Sequence, residues 1–265
     1  MRRAHPVRRV LGELWLVALL VAVLLVATAL APSLYFPPLG EVLAAIARGF
    51  VDGPLLGHLA YSLGNLLAGL AIGAVAGVSI GLLLGMSELA HRVVDPALQL
   101  LRATPKVALI PLLVALLGLG AEPKIAIVAL AAVWPILLNT VDGVRGLEAN
   151  AVDVARAFQI PLGLRIRRVI LPAALPQILA GVAIALSLGV TVLVVSEMYA
   201  ATQGIGFSVL QSGRSFDIVG TWAGTIVLGV VGYLLNLAML AVERRALHWH
   251  HGPLDGSTEE RGARG

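Results

Sequence analysis

The chain has 265 residues, of which 58% are hydrophobic and 13% charged, with a formal net charge of +4. Soluble domains carry about 25% charged residues, so a chain this apolar, with a mean hydropathy of +0.93, reads as a polytopic membrane protein with one membrane domain. Cysteine is absent, which excludes disulfides, thiol catalysis and cysteine metal sites; the basic residues lie between apolar runs, which argues for membrane orientation over nucleic-acid binding.

A bilayer core needs about 20 apolar residues per helix, and six candidate spans occur along the chain. The first is Leu14–Ala31, preceded by Arg2, Arg3, Arg8 and Arg9. Ala29-Leu30-Ala31 resembles a signal-cleavage site, but the run is longer than the ~7–15 residues of a signal core, so an uncleaved anchor is expected. The second, Leu59–Met86, carries Gly69, Gly73, Gly77, Gly81 and Gly85, one at every fourth position. Such a row lets another helix backbone approach closely. It winds slowly around the helix, because four residues turn it by roughly 400°; a packing role is expected rather than a part in transport. The third, Leu98–Leu119, has Arg102 and Lys106 near its start and Pro105 and Pro111 within it. The fourth, Ile125–Thr140, is short and contains Pro135; the fifth is Gln177–Ser196 and the sixth Ile218–Val242. Proline within a span is tolerated where neighbouring helices satisfy the freed backbone groups. Residues 1–252 thus form one membrane domain, and 253–265 a disordered cytoplasmic tail.

Orientation follows from the basic residues. With the N-terminus inside, Arg48, Lys124 and Arg214 fall outside, Lys106 falls within a span, and every other arginine falls inside. This bias supports six spans with both ends in the cytoplasm.

The segment Ala151–Pro176, between the fourth and fifth spans, then lies inside. Read as helix, Ala151, Val154, Ala155 and Phe158 share one face, with Asp153 and Arg156 elsewhere on the wheel. Gln159-Ile160-Pro161-Leu162-Gly163 supplies a break. A second helix follows, with Ile166, Val169 and Ile170 on one side and Arg165 and Arg168 on the other. The pattern predicts two short surface helices over 149–172. They serve either as an interfacial pair held to anionic lipid or as a docking element for a cytoplasmic partner.

Enzyme signatures are missing: there is no G-x-x-x-x-G-K-[ST] phosphate loop, no H-E-x-x-H zinc helix and no G-x-S-x-G elbow. His248, His250 and His251 cluster beside Trp249, and a solvated tail is expected there in preference to a metal site. Ionisable groups within a membrane are functional candidates by default. Glu197 and Lys106 qualify weakly, both near span ends, where long side chains reach the interface. The absence of an acidic relay counts against a secondary transporter.

These segments resemble the permease subunits of bacterial binding-protein-dependent ABC importers, which carry a cytoplasmic motif E-A-A-x-x-x-G-x9-I-x-L-P. Asp153-Val154-Ala155-Arg156-Ala157-Phe158-Gln159 stands at its first half and Val169-Ile170-Leu171-Pro172 at its second. Aspartate replaces glutamate, valine replaces isoleucine, and Gln159 replaces the glycine. LRATPKVALIPLLVALLGLGAEPK (Leu101–Lys124), WPILLNTVDGVRGL (Trp134–Leu147), SEMYAATQGIG (Ser196–Gly206) and ERRALHW (Glu243–Trp249) resemble the nitrate, sulfonate and taurine branch.

The resemblance implies an all-α type I importer fold, with six transmembrane helices and two coupling helices between the fourth and fifth. It implies a location in the bacterial inner membrane, a second permease copy, expected to be identical, two separate ATPase subunits at the cytoplasmic face and an extracytoplasmic solute-binding protein. No cofactor would be bound by this chain, ATP being used by the partner subunits. Asp153, Ala155, Arg156, Phe158, Gln159, Leu171 and Pro172 would couple to the ATPases. Thr104, Pro105, Pro111, Ser187, Thr191 and Glu197 are the candidates for the path of a small, anionic solute; helix–helix hydrogen bonding is the competing role for each. Two other functions compete: a secondary transporter or channel working without ATP, and a structural membrane protein anchored by its interfacial helices.

Overall fold

The computed structural model describes Leu19, residues 35–146 and residues 158–248. Apart from Leu19, the first span (14–31) lies outside the described residues, as do the motif residues Asp153, Ala155 and Arg156, His250, His251 and the tail 253–265.

The described chain is helical, apart from turns and one isolated bridge residue. Helix α1 (Leu39–Val51) follows Pro37-Pro38 and places Glu41 in its first turn and Arg48 in its last, both complementary to the helix dipole. Helix α2 is Leu55–Met86, and α3 is Glu88–Ala103. A 3-10 turn, Lys106–Leu109, leads into α4 (Ile110–Leu117), which ends at Gly118 with φ 85°. Helix α5 is Glu122–Arg145, again acidic at its start and basic at its end. Helix α6 (Leu162–Arg165), a π-helical turn (Ile166–Ile170) and α7 (Leu171–Ala200) follow one another without interruption. Helix α8 is Ile205–Arg214; α9 is Ile218–Ala246, capped by the Asp217 carboxylate, which accepts from the Gly220 N–H at 2.9 Å.

Among the described residues, four helical stretches are long and apolar enough to cross a membrane: Leu55–Met86, Glu122–Arg145, Leu162–Tyr199 and Ile218–Ala246. They contain the second, fourth, fifth and sixth expected spans. Two expectations change. The third span, expected as Leu98–Leu119, is not one helix: it is broken at Thr104–Pro105 and resumes through the 3-10 turn. Pro105 lacks an N–H and pushes Thr104 out of the helical region, whereas Pro111 sits in the first turn of α4, where the missing donor costs nothing. The second of the two expected short helices is also not separate. Pro172 falls in the first turn of α7 and is tolerated there, so the π turn joins Leu162–Arg165 to the fifth span.

Helix α5 is the centre of the bundle, packed between α2 and α7. The glycine row of α2 meets a row on α5 with the same spacing. A Cβ at Gly69 would lie 2.6 Å from Val128 Cβ, at Gly73 2.7 Å from Ala132 Cβ, and at Gly77 2.9 Å from Ile136 Cβ. At Gly81 it would lie 2.6 Å from Thr140 Cβ, and at Gly85 2.7 Å from Val144 Cβ. Both rows advance by four residues and drift together, so the contact persists from Gly69 to Gly85. On the other side of α5, a Cβ at Gly181 of α7 would lie 2.9 Å from both Asn139 Cβ and the Pro135 carbonyl oxygen. Leu66, Val128, Leu186, Leu193 and Met239 then close one core cluster across α2, α5, α7 and α9.

One end of the bundle gathers Ser62, Lys124, Glu197 and α8. The other, where Met86 and Val144 pack with Ile166 and Ile170, carries Arg145, Arg165, Arg167 and Arg168 and is the arginine end. The zipper is open to test. Gly77→Val should cost about 1–3 kcal/mol by overpacking, whereas Gly64→Ala, where an added Cβ meets nothing within 4 Å, should be neutral or stabilising. Thermal unfolding of both variants in detergent checks this; equal midpoints would remove the zipper from the account.

Candidate functional site

The break at Thr104–Pro105 opens a cleft of about 490 Å³ against the middle of α5 and α7. Thr104, Pro105 and Lys106 form one wall; Ala131, Trp134, Pro135 and Leu138 of α5 and Leu188 and Val192 of α7 form the other. Lys106 is the one charged residue in this lining, and its Nζ lies 5.9 Å from the centroid of the Trp134 ring, within cation–π range. Behind the cleft, Ile110, Ile127, Ala131 and Val192 pack as a buried cluster that fixes the resumed helix.

The second polar feature is buried at the opposite end from the arginines. Glu197 is 0% exposed. Its Oε1 accepts from the Ser62 hydroxyl at 2.7 Å and its Oε2 from the Gly206 N–H at 2.9 Å. Ser62 Oγ in turn accepts from the Ile205 N–H at 2.9 Å, and His58 Nδ1 accepts from the Gly204 N–H at 3.1 Å. The first amides of α8, which have no partner within their own helix, are therefore satisfied by side chains of α2 and α7. Gly204 has φ 114°, and a Cβ there would collide with the Glu197 carboxylate; the turn needs glycine for both reasons. Lys124, also 0% exposed, attracts Glu197 electrostatically and donates to the carbonyls of Leu119 and Gly120 at 2.7 and 2.8 Å.

The third feature is the turn that enters α6. Phe158 is 77% exposed. Gln159 has φ 52°, the left-handed conformation that glycine adopts without strain. Gln159 stands where the motif of the resembled family has glycine, and it takes a conformation that costs glycine less.

The structure thus brings together only some of the expected residues. Thr104 and Pro105 line the cleft. Pro111 is exposed in the first turn of α4. Ser187 and Thr191 lie on an exposed face of α7, outside the cleft lining, with their hydroxyls donating to Ala183 O at 3.3 Å and Ser187 O at 3.1 Å. Glu197 lies in the buried knot, away from the cleft. Leu171 and Pro172 are half-buried at the start of α7. Lys106, noted in the sequence as an ionisable candidate near a span end but not as part of the path, lines the cleft with Trp134, which the sequence did not single out. Lys124, Ser62 and His58 were missed too; the partners of Glu197 in α2 are far away in sequence, and nothing local marks them.

Comparison with known proteins places these features in a family. The family described as binding-protein-dependent transport system inner membrane component matches residues 69–248. A Bacillus subtilis (strain 168) protein carrying the name aliphatic sulfonates transport permease protein SsuC is 35% identical over 201 residues, covering 76% of this chain and 73% of the relative. The taurine transport system permease protein TauC of Escherichia coli (strain K12) is 33% identical over 222 residues, covering 82% and 81%. Among solved structures, an inward-facing conformation of the MetNI methionine ABC transporter superposes with a TM-score of 0.62 at 21% identity, covering 72% of this chain and 95% of that one; this likeness is one of fold.

Two substitutions test the local geometry. Glu197→Leu removes the acceptor of the Gly206 N–H and of the Ser62 hydroxyl and the carboxylate that attracts Lys124, and should cost about 3–5 kcal/mol, read as a lowered unfolding midpoint in detergent; an unchanged midpoint would refute the knot. Gln159→Gly should stabilise by about 1 kcal/mol by relieving the left-handed strain, and a lowered midpoint would show that the turn is not strained.

Proposed function

The chain belongs to the family of inner membrane components of binding-protein-dependent transport systems, and from that membership we propose how it works and what it carries. It is a transmembrane permease subunit of an ABC importer. In the proposed assembly, two copies form the translocation path, two separate ATPase subunits bind the arginine end, and a soluble binding protein delivers solute at the Glu197 end. The arginine end is cytoplasmic on the positive-inside rule, both termini included, in a bacterial inner membrane. ATP is consumed by the partners.

Coupling runs through the motif segment. Phe158 is a large apolar side chain left exposed at a sharp turn, as a seat for another protein requires; Asp153, Ala155 and Arg156 precede it in the motif, and Leu171 and Pro172 tie it to α7. ATP binding closes the ATPase dimer, the motif segment follows, and α7 tilts. The path then exchanges outward- and inward-facing states, biased by nucleotide. The cargo is a small anion of the sulfonate or taurine type. The observation that carries this is the similarity, over about three quarters or more of each chain, to permeases named for aliphatic sulfonates and taurine.

The test is reconstitution of the chain with its ATPase subunits and binding protein in liposomes. Uptake of taurine or ethanesulfonate should require ATP; uptake by the permease alone would favour a carrier or channel instead. Phe158→Ala removes apolar burial worth about 1.5–3 kcal/mol and should lower the solute moved per ATP by about tenfold, with the permease still assembled. Unchanged stoichiometry would exclude Phe158 from coupling.

A further inference from the structure

We propose a recognition site at the Glu197 end, in a cavity between α1, α2, α8 and α9. Its ligand is a small zwitterion, one ammonium and one oxyanion joined by a short alkyl spacer. The inference rests on the importer reading above, which makes this end extracytoplasmic. It adds a solute site that belongs to this chain and shares no lining residue with the cleft at Trp134.

Shape is the first argument. The cavity has a volume of about 520 Å³, within the range of small-molecule sites. Each wall is one face of a helix. Glu41, Ala45, Arg48 and Gly49 recur at helical spacing on α1. Ser208 and Ser212 stand about one turn apart on α8, as do Gly220 and Gly224 on α9. Leu55, Ala223 and Gly224 are buried, whereas Glu41, Arg48 and Asp217 are exposed. The floor is therefore apolar and the charges stand at the mouth.

Charge is the second. Both signs meet in one lining, with Glu41 and Asp217 as carboxylates and Arg48 as a guanidinium. None of the three forms an ion pair among the described residues. Arg48 donates its Nε–H to the Ala44 carbonyl at 3.3 Å, and its terminal nitrogens are left for a ligand. Asp217 Oδ1 accepts from the Gly220 N–H at 2.9 Å. A Cβ at Gly220 would meet the other oxygen, Oδ2, and lie 2.8 Å from Ser212 Oγ, so a carboxylate oxygen and a hydroxyl sit together on the α9 wall. Glu41 and Arg48 are about 10 Å apart along α1 at ~1.5 Å per residue. They do not neutralise each other, and one small ligand can lie between them. Its ammonium finds the carboxylates, and its oxyanion the guanidinium and the serine hydroxyls.

Connection is the third. His58 lines the same cavity. Its Nδ1 accepts from the Gly204 N–H at 3.1 Å, so the neutral ring carries its proton on Nε2, a donor. The cavity is thus one hydrogen bond away from the turn that starts α8.

The experiment uses purified full-length permease in nanodiscs, with radiolabelled taurine as the probe. The competitors are ethanesulfonate, which lacks the ammonium, and ethylamine, which lacks the oxyanion. In wild type each competitor should bind at least about tenfold more weakly than taurine. This arm needs no variant and so stands whatever a substitution does to folding. Arg48→Met, Glu41→Gln and Asp217→Asn should each weaken taurine binding by about tenfold; asparagine keeps the helix cap, and Arg48→Lys should recover most of the loss. Absence of taurine binding in wild type would overturn the site. So would competition by ethanesulfonate as strong as by taurine itself, or wild-type affinity in all three charge-removing variants. Taurine uptake by the complete transporter in liposomes is measured alongside. Uptake that does not depend on ATP would count against the importer reading, while the nanodisc titrations alone decide the site.

Discussion

The close contact between α2 and α5 is the constraint on which the rest of the bundle depends. In hydrocarbon there is no hydrophobic force to drive two apolar helices together, so association rests on packing. The five glycines of the α2 row, Gly69 to Gly85, remove the side chains that would separate the backbones, and Val128, Ala132, Ile136, Thr140 and Val144 fill the space. Thr140 satisfies its hydroxyl within its own helix, donating to Ile136 O at 2.6 Å, so even the polar member of the row adds no unpaired group. With α5 fixed to α2, its opposite face is left for α7, and the cleft at Trp134 is cut into a wall that does not yield.

The Glu197 knot solves a different problem. Helix α8 begins inside the fold, and its first amides need acceptors that water cannot supply. Glu197 from α7 and Ser62 from α2 provide them, and Lys124 from α5 balances the charge. Three long helices are thereby tied at one end through a single carboxylate. An acidic residue followed by a Gly-x-Gly turn, read in sequence as part of a solute path, is explained in the described chain by the needs of a helix start.

Hydropathy made the long helices legible, because each is continuous and apolar. It failed at Leu98–Leu119, where the average stays high across a break that depends on one N–H missing at Pro105. It also placed the start of the fifth span late, because the arginines of Leu162–Arg168 lower the local hydropathy while the backbone remains helical through the π turn. The glycine row disclosed that a close neighbour existed, and the fold identified it as α5. Glu197 was noticed as an acidic residue near a membrane end, but its partners Ser62 and Lys124 lie in other helices, and only the tertiary structure joins them. The departure at Gln159 is visible in the motif; its φ of 52° lies in the left-handed region that glycine enters at lower cost.

The continuous stretch from Leu162 to Tyr199 spans 38 residues, about 57 Å at ~1.5 Å per residue. Gly181, pressed against Pro135 and Asn139, divides it almost in half. The same stretch is pinned again near its far end, where Glu197 accepts from Ser62 and Gly206, and on its near half, where Ala174 and Gln177 press on Gly143. Anything that displaces the arginine end of α7 must therefore carry α5 with it.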